Sequence, residues 1–210
     1  VMKDKNNLGP VVGSIDGHDI QANQLQRKGW SWGNGYNTPS DGADTNAGQQ
    51  PVRKLTKDAK SIVIFWSRSG STKLLASQIA KRTGSDILEI VLDHPYPANY
   101  QQTLHRANRE RRTNQPPRLK MSLPDLSQYE TVYLGYQTLA MTLSQPMKAF
   151  LLAYGQQLRN KVIAPFLTEG DYGAGDSVDW LREYTGAAQI QQPLVVDGNW
   201  VDESVRNVDR

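Results

Sequence analysis

The chain has 210 residues, a formal net charge of +3 and no cysteine. That length suits one well-filled core plus an extension, and the missing cysteines exclude disulfides, thiolate nucleophiles and cysteine-bound metals or clusters. The charge is spread rather than massed, which argues against a nucleic-acid surface; His18, His94 and His105 are too scattered for a metal-ligand pair, and no apolar run matches the thickness of a bilayer.

Residues 1–60 are rich in Asn, Gln, Gly, Asp and Ser, with no sustained helical or strand period. They read as an irregular arm or tether, and residues 61–210 as the folded body. Inside the arm, Trp30, Trp32 and Tyr36 stand among turn-forming residues. Such rings either anchor the arm on the body or take part at a ligand site.

The body opens on Ile62-Val63-Ile64-Phe65-Trp66, an uninterrupted β-branched and aromatic run that predicts a strand buried on both faces. Ser67-Arg68-Ser69-Gly70-Ser71-Thr72 follows, then a helix over 73–82 stopped by Gly84. A hydroxyl-rich loop at a helix amino end gathers backbone N–H and O–H donors at the positive pole of the dipole, which suits a phosphate. The same residue types also cap helices and fill turns, so the loop alone carries both readings.

Next come a strand over 86–92, a turn at His94-Pro95-Tyr96-Pro97 and a polar helix over 100–112. Arg106, Arg109, Arg111 and Arg112, with Arg118 and Lys120, form the one basic concentration. It reads as a solvated face, with a docking patch or a nucleotide-phosphate contact as the alternative. A strand over 131–135 precedes an amphipathic helix over 146–158 with Met147, Phe150, Leu151 and Tyr154 at i, i+3, i+4 and i+7. A strand over 162–167, a glycine-punctuated loop, a helix over 177–184, a strand over 189–196 and a last helix from Asp202 complete the chain. Five strands alternating with helices predict an α/β fold, a parallel sheet covered on both faces, with ligands at its carboxyl edge.

The 67–72 loop resembles the phosphate loop of flavodoxins, with Ser69 where threonine is usual. Pro95-Tyr96-Pro97, Leu123-Pro124-Asp125-Leu126, Leu134-Gly135-Tyr136, Pro146 with Phe150 and Leu151, and Pro165-Phe166 before Thr168 extend the likeness over about residues 61–210. Together they resemble the short-chain, flavodoxin-like bacterial proteins. The resemblance implies a three-layer sandwich whose five-stranded sheet has the order 2-1-3-4-5 and carries FMN at the switch point. It implies Ser67, Ser69, Gly70, Ser71 and Thr72 on the FMN phosphate, a second loop with Gln137, Thr138, Leu139, Ala140 and Met141 along the ring, and a third with Thr168, Glu169, Gly170, Tyr172 and Gly173 on its other side.

One departure bears on the ring. Members of this group usually continue after Gly-Tyr with a proline, an aliphatic residue and a pair of tryptophans, whereas this chain has Gln137-Thr138-Leu139-Ala140-Met141-Thr142. Leu139 and Met141 remain to pack on the isoalloxazine, and Trp30, Trp32 or Tyr36 of the arm is expected to cover the vacated face.

Rival folds with this sheet order lack their residues. Gly135 stands where a response regulator needs aspartate, the first loop holds no cysteine for a low-molecular-weight phosphatase, and it is too short for a Walker loop. The body is near neutral, with 16 basic and 15 acidic residues between 61 and 210, whereas electron-carrier flavodoxins are typically acidic. The expectation is therefore an FMN-dependent redox protein, in electron transfer or in NAD(P)H-dependent reduction of a quinone-like acceptor. The alternative is a flavodoxin fold that has lost FMN and serves as a binding module. No nucleic-acid partner or transmembrane segment is expected, and a homodimer is allowed. The compartment is cytoplasmic by default, or extracytoplasmic and tethered if a leader has been removed.

Overall fold

The computed structural model describes residues 11–21, 50–97 and 99–204. The aromatic island at Trp30, Trp32 and Tyr36, and the expected cover of the flavin face, lie outside them.

In chain order the elements are β1 (Val11–Ile15), β2 (His18–Gln21), β3 (Arg53–Lys54), β4 (Ser61–Phe65), α1 (Ser71–Thr83), β5 (Asp86–Glu89), α2 (Tyr100–Thr113), β6 (Thr131–Leu139), β7 (Thr142–Leu143), α3 (Gln145–Tyr154), β8 (Val162–Glu169), α4 (Ser177–Thr185), β9 (Gln189–Ile190) and β10 (Leu194–Asp197). Neighbour to neighbour, the main sheet runs β10-β8-β6-β4-β5-β3. Strands β4, β5, β6, β8 and β10 are mutually parallel, β3 pairs antiparallel with β5, and β7 folds back on the end of β6.

Alternation along the strands builds two cores. Ile62 and Ile64 of β4, Val132, Leu134 and Tyr136 of β6, and Ile163 and Leu167 of β8 face one side, where Ala107 of α2, Met147 and Phe150 of α3 and Leu181 of α4 close over them. Val63 and Phe65, Ile87 and Phe166 face the other, under Leu74, Leu75 and Ile79 of α1. Every residue of 62–65 is buried, which is why that stretch carries no polar position.

The stretch expected to be irregular holds ordered strands where it is described. Residues 11–21 form a hairpin turning at Asp16 and Gly17, both at positive φ, and its Ile15 and Ile20 join the core under α1. Alternation over only four or five residues is too short to stand out among polar neighbours, and docking on α1 stabilises it. Downstream, β3 is held at the sheet edge by two buried carboxylates. Glu89 accepts from the Val52 N–H at 2.9 Å, and Asp86 accepts from the Thr56 N–H at 2.8 Å, the Thr56 hydroxyl at 2.7 Å and the Tyr129 hydroxyl at 2.6 Å.

Other boundaries move for local reasons. The strand expected over 86–92 ends at Glu89, because the Lys120 N–H bonds the Val91 carbonyl and the Asp93 N–H the Arg118 carbonyl, turning the chain onto the 118–120 segment. The strand expected over 131–135 runs on to Leu139. The one expected over 189–196 is split into β9 and β10 by Pro193, which has no N–H for a ladder. Most of the helix expected from Asp202 lies outside the described residues; before it, Gly198–Glu203 is a 3-10 helix opened by Asp197, whose side chain accepts from the Asn199 N–H.

Candidate functional site

The 67–72 loop begins where β4 ends and α1 starts. Gly70 is the N-cap residue at φ 98°, a left-handed conformation that glycine adopts without a Cβ penalty, and it turns the loop so that α1 begins at Ser71. Inside the loop, Ser67 Oγ accepts from the Gly70 N–H at 3.1 Å. Ser71 donates to the Gly198 carbonyl at 2.9 Å, and Thr72 and Thr168 share a hydroxyl–hydroxyl bond of 2.8 Å. These bonds tie the loop to the end of β8 and to the 3-10 helix after β10. Ser67, Ser69, Ser71 and Thr72 are all buried, as are Arg68 and Lys73. The first turn of α1 holds no acidic residue. The amino end of α1, free of acidic residues, with Arg68 and Ser69 beside it, fits a phosphate.

The expected second loop is a tight hairpin. Strand β6 carries Gln137, Thr138 and Leu139, Ala140 and Met141 turn at φ 53° and 61°, and β7 returns. Two successive left-handed residues are the geometry of a two-residue hairpin turn, here without glycine. The hairpin leans on the third loop, where Thr138 donates to the Gly173 carbonyl at 3.3 Å and the Asp176 N–H reaches the Met141 carbonyl at 3.4 Å. Glu169 folds its carboxylate onto the Gly173 N–H at 2.8 Å. This bond closes the loop on itself and takes up one oxygen of the carboxylate.

Between these pieces, at the carboxyl edge of the sheet, lies a cavity of about 830 Å³. Of the residues expected at the cofactor, Ser69, Gln137, Thr138, Leu139, Ala140, Met141, Thr168, Glu169, Gly170 and Tyr172 line it. Ser67, Gly70, Ser71, Thr72 and Gly173 do not; they build the walls from behind. Tyr172 is 72 % exposed at the rim.

The cavity also takes residues not expected at the cofactor, Arg68, Tyr100, Leu104, Asp171, Gly198 and Asn199, and Arg111, for which a nucleotide-phosphate contact is the alternative reading. Arg68 sits inside the loop itself, its guanidinium 5.5 Å from the centre of the Tyr100 ring and its N–H 3.3 Å from Gln137 Oε1. Tyr100, Leu104 and Arg111 are spaced i, i+4 and i+11 and so share one face of α2, a signal present in the sequence. Asn199 had none, since only the pairing of β10 with β8 brings it here. The basic concentration divides in two. Arg111 faces the cavity, whereas Arg106 is structural, pairing with Glu110 at 2.7 Å and lying 4.2 Å from the centre of the Tyr96 ring. Burial raises the Tyr136 phenol to about 12; its hydroxyl meets Ser177 at 3.0 Å beneath the site.

The flavodoxin family model matches residues 60–208. The chain belongs to the flavodoxin family. Among solved structures it is similar to a protein from Bacteroides uniformis described as a flavoprotein, at 19% identity over 73% of this chain and 100% of that one, with a TM-score of 0.62. It is also similar to a flavoprotein from Lactobacillus acidophilus in complex with FMN, at 20% identity over 72% of this chain and 99% of that one, with a TM-score of 0.57. At such identities these likenesses establish the flavodoxin-like fold. No curated protein matches the chain. Among the described residues no helix is long and apolar enough to cross a membrane.

Proposed function

We propose that this flavodoxin-family chain binds FMN, with the phosphate on the 67–72 loop and the isoalloxazine in the cavity at the carboxyl edge, and uses it for NAD(P)H-dependent reduction of a quinone-like acceptor. The carrying observation is convergence: Arg68 and Ser69, the hairpin residues Gln137 to Met141, and Thr168 to Gly170 line one cavity although they come from three separate strand ends. FMN would supply hydride and electron transfer, and the chain would supply binding, orientation and electrostatics.

Arg68 and Ser69, the residues of the 67–72 loop that line the cavity, would meet the phosphate beside the amino end of α1, while Leu139 and Met141 would pack on the ring. Arg68 and Arg111 place two cations on the cavity wall, and Glu169, engaged by the Gly173 N–H, and Asp171 place two carboxylates there. The near-neutral body, with 16 basic and 15 acidic residues between 61 and 210, supports a reductase over an acidic, low-potential carrier.

An absorbance spectrum before and after incubation with FMN and gel filtration tests this. A flavin spectrum at near one equivalent per chain is expected, bleached anaerobically by NADH or NADPH. A retained flavin that neither nucleotide bleaches would leave a carrier that needs a protein donor. A colourless chain that cannot be reconstituted would leave a flavodoxin fold acting as a binding module.

A further inference from the structure

A second cavity, of about 580 Å³, adjoins the first across the hairpin tip and shares Arg111, Ala140 and Met141 with it. Its other walls come from the amino end of α3, with Gln145 and Lys148, and from the start of α4, with Gly175, Asp176 and Trp180. We propose that this cavity is a subsite for a planar aromatic anion, held by the Lys148 and Arg111 cations and stacked on the Trp180 indole.

The indole is fixed for such a role. Trp180 Nε1 donates to Asp176 Oδ2 at 3.0 Å, and the ring stacks on Tyr184 with centres 5.5 Å apart and planes 16° from parallel. Asp176 adds one negative charge to this wall, and Lys148 and Arg111 on the same cavity outnumber it and leave the lining net positive. Lys148 Nζ lies 5.8 Å from the centre of the Trp180 ring and is oriented by Asn114 Oδ1 at 2.9 Å. Gln145 is buried in the same wall, and its Oε1 has no hydrogen-bond partner among the described residues. Cations and aromatic plane together select a flat, negatively charged ring system. The subsite's role as the place of the electron acceptor rests on the flavin reading above; its ligand chemistry does not.

Calorimetric titration of the full chain with alizarin sulfonate and with the uncharged hydroxymethyl anthraquinone tests the proposal. The sulfonate is expected to bind more tightly. Lys148→Met should weaken the sulfonate about fivefold, the scale of one partly exposed ion pair, and leave the neutral probe unchanged. Trp180→Leu, with helicity verified by circular dichroism, should weaken both, and Trp180→Phe should restore much of the loss. Saturating FMN should displace neither probe. Equal affinity for the two probes, indifference of the sulfonate to Lys148→Met, or full displacement by FMN would each overturn the subsite. Probe binding with this pattern in a chain that retains no FMN would sink the flavin reading and leave the subsite standing.

Discussion

Gly135 is the residue whose neighbour explains it. It stands opposite Phe166 in the β6–β8 register, and a Cβ there would come within 2.1 Å of the Phe166 ring. The ring packs into the space that a side chain would fill, at the centre of a sheet with no slack. Gly135→Ala is expected to cost about 1–3 kcal/mol by overpacking, read as a lower urea midpoint with an unchanged slope. The adjacent Tyr136 carries a pH prediction. Burial lifts its phenol from 10.0 to about 12. The folded chain therefore keeps a proton that the unfolded chain loses above about pH 10. Stability from this group is full below pH 10 and declines as pH rises from about 10 to about 12, by at most about 3 kcal/mol. Tyr96 and Tyr129 are shifted the same way, each by burial first and then by a carboxylate partner, Glu110 and Asp86 respectively. Urea midpoints across that range should fall for the parent chain and fall less for Tyr136→Phe.

At the scale of elements, the site depends on how the β6–β7 hairpin meets the loop before α4. Gly175 sits at φ 54°, and a Cβ on it would lie 1.8 Å from the Met141 carbonyl oxygen. A side chain there meets backbone, which cannot swing aside as a long side chain does. Gly175→Ala is expected to push the turn and the loop apart and weaken FMN binding about tenfold or more, with little effect on the main sheet. Flavin fluorescence titration measures it, and unchanged affinity would mean that the hairpin does not line the ring. The elements themselves were largely legible. The apolar run at 62–65, the 3.6-residue period of α3 and the Gly84 stop of α1 are local signals, and each stands where its residues put it. The hairpin was not, because Ala140 and Met141 are poor markers of a turn that needs positive φ at both positions. Contacts from Gly175 and Asp176, distant in sequence, accompany that conformation.

For the molecule as a whole, the face of the sheet under α1 is completed by chain from far upstream. Ile15 and Ile20 of the hairpin and Val52 beside β3 share a core with Leu74, Ile79 and Ile87. A chain beginning at residue 50 would expose that face, and burial of the two isoleucines alone sets the expected loss at about 3 kcal/mol. Thermal or urea unfolding of the shortened chain against the parent measures it. Equal stability would show the hairpin to be a passenger. The sequence by itself determined the α/β alternation, the strand–loop–helix unit around Gly70 and the residue types that suit a phosphate, since periodicity and turn chemistry act over a few neighbouring residues. Only the tertiary structure decided that Arg68, Tyr100, Arg111 and Asn199 share one cavity, that Arg106 belongs to a structural pair, and that a polar leader contributes core. Helical spacing does leave a trace of the Arg106–Glu110 pair and of the face shared by Tyr100 and Arg111. The joining of that face to Arg68 and Asn199, and of the hairpin to the core, follows from pairing and crossover between residues dozens of positions apart.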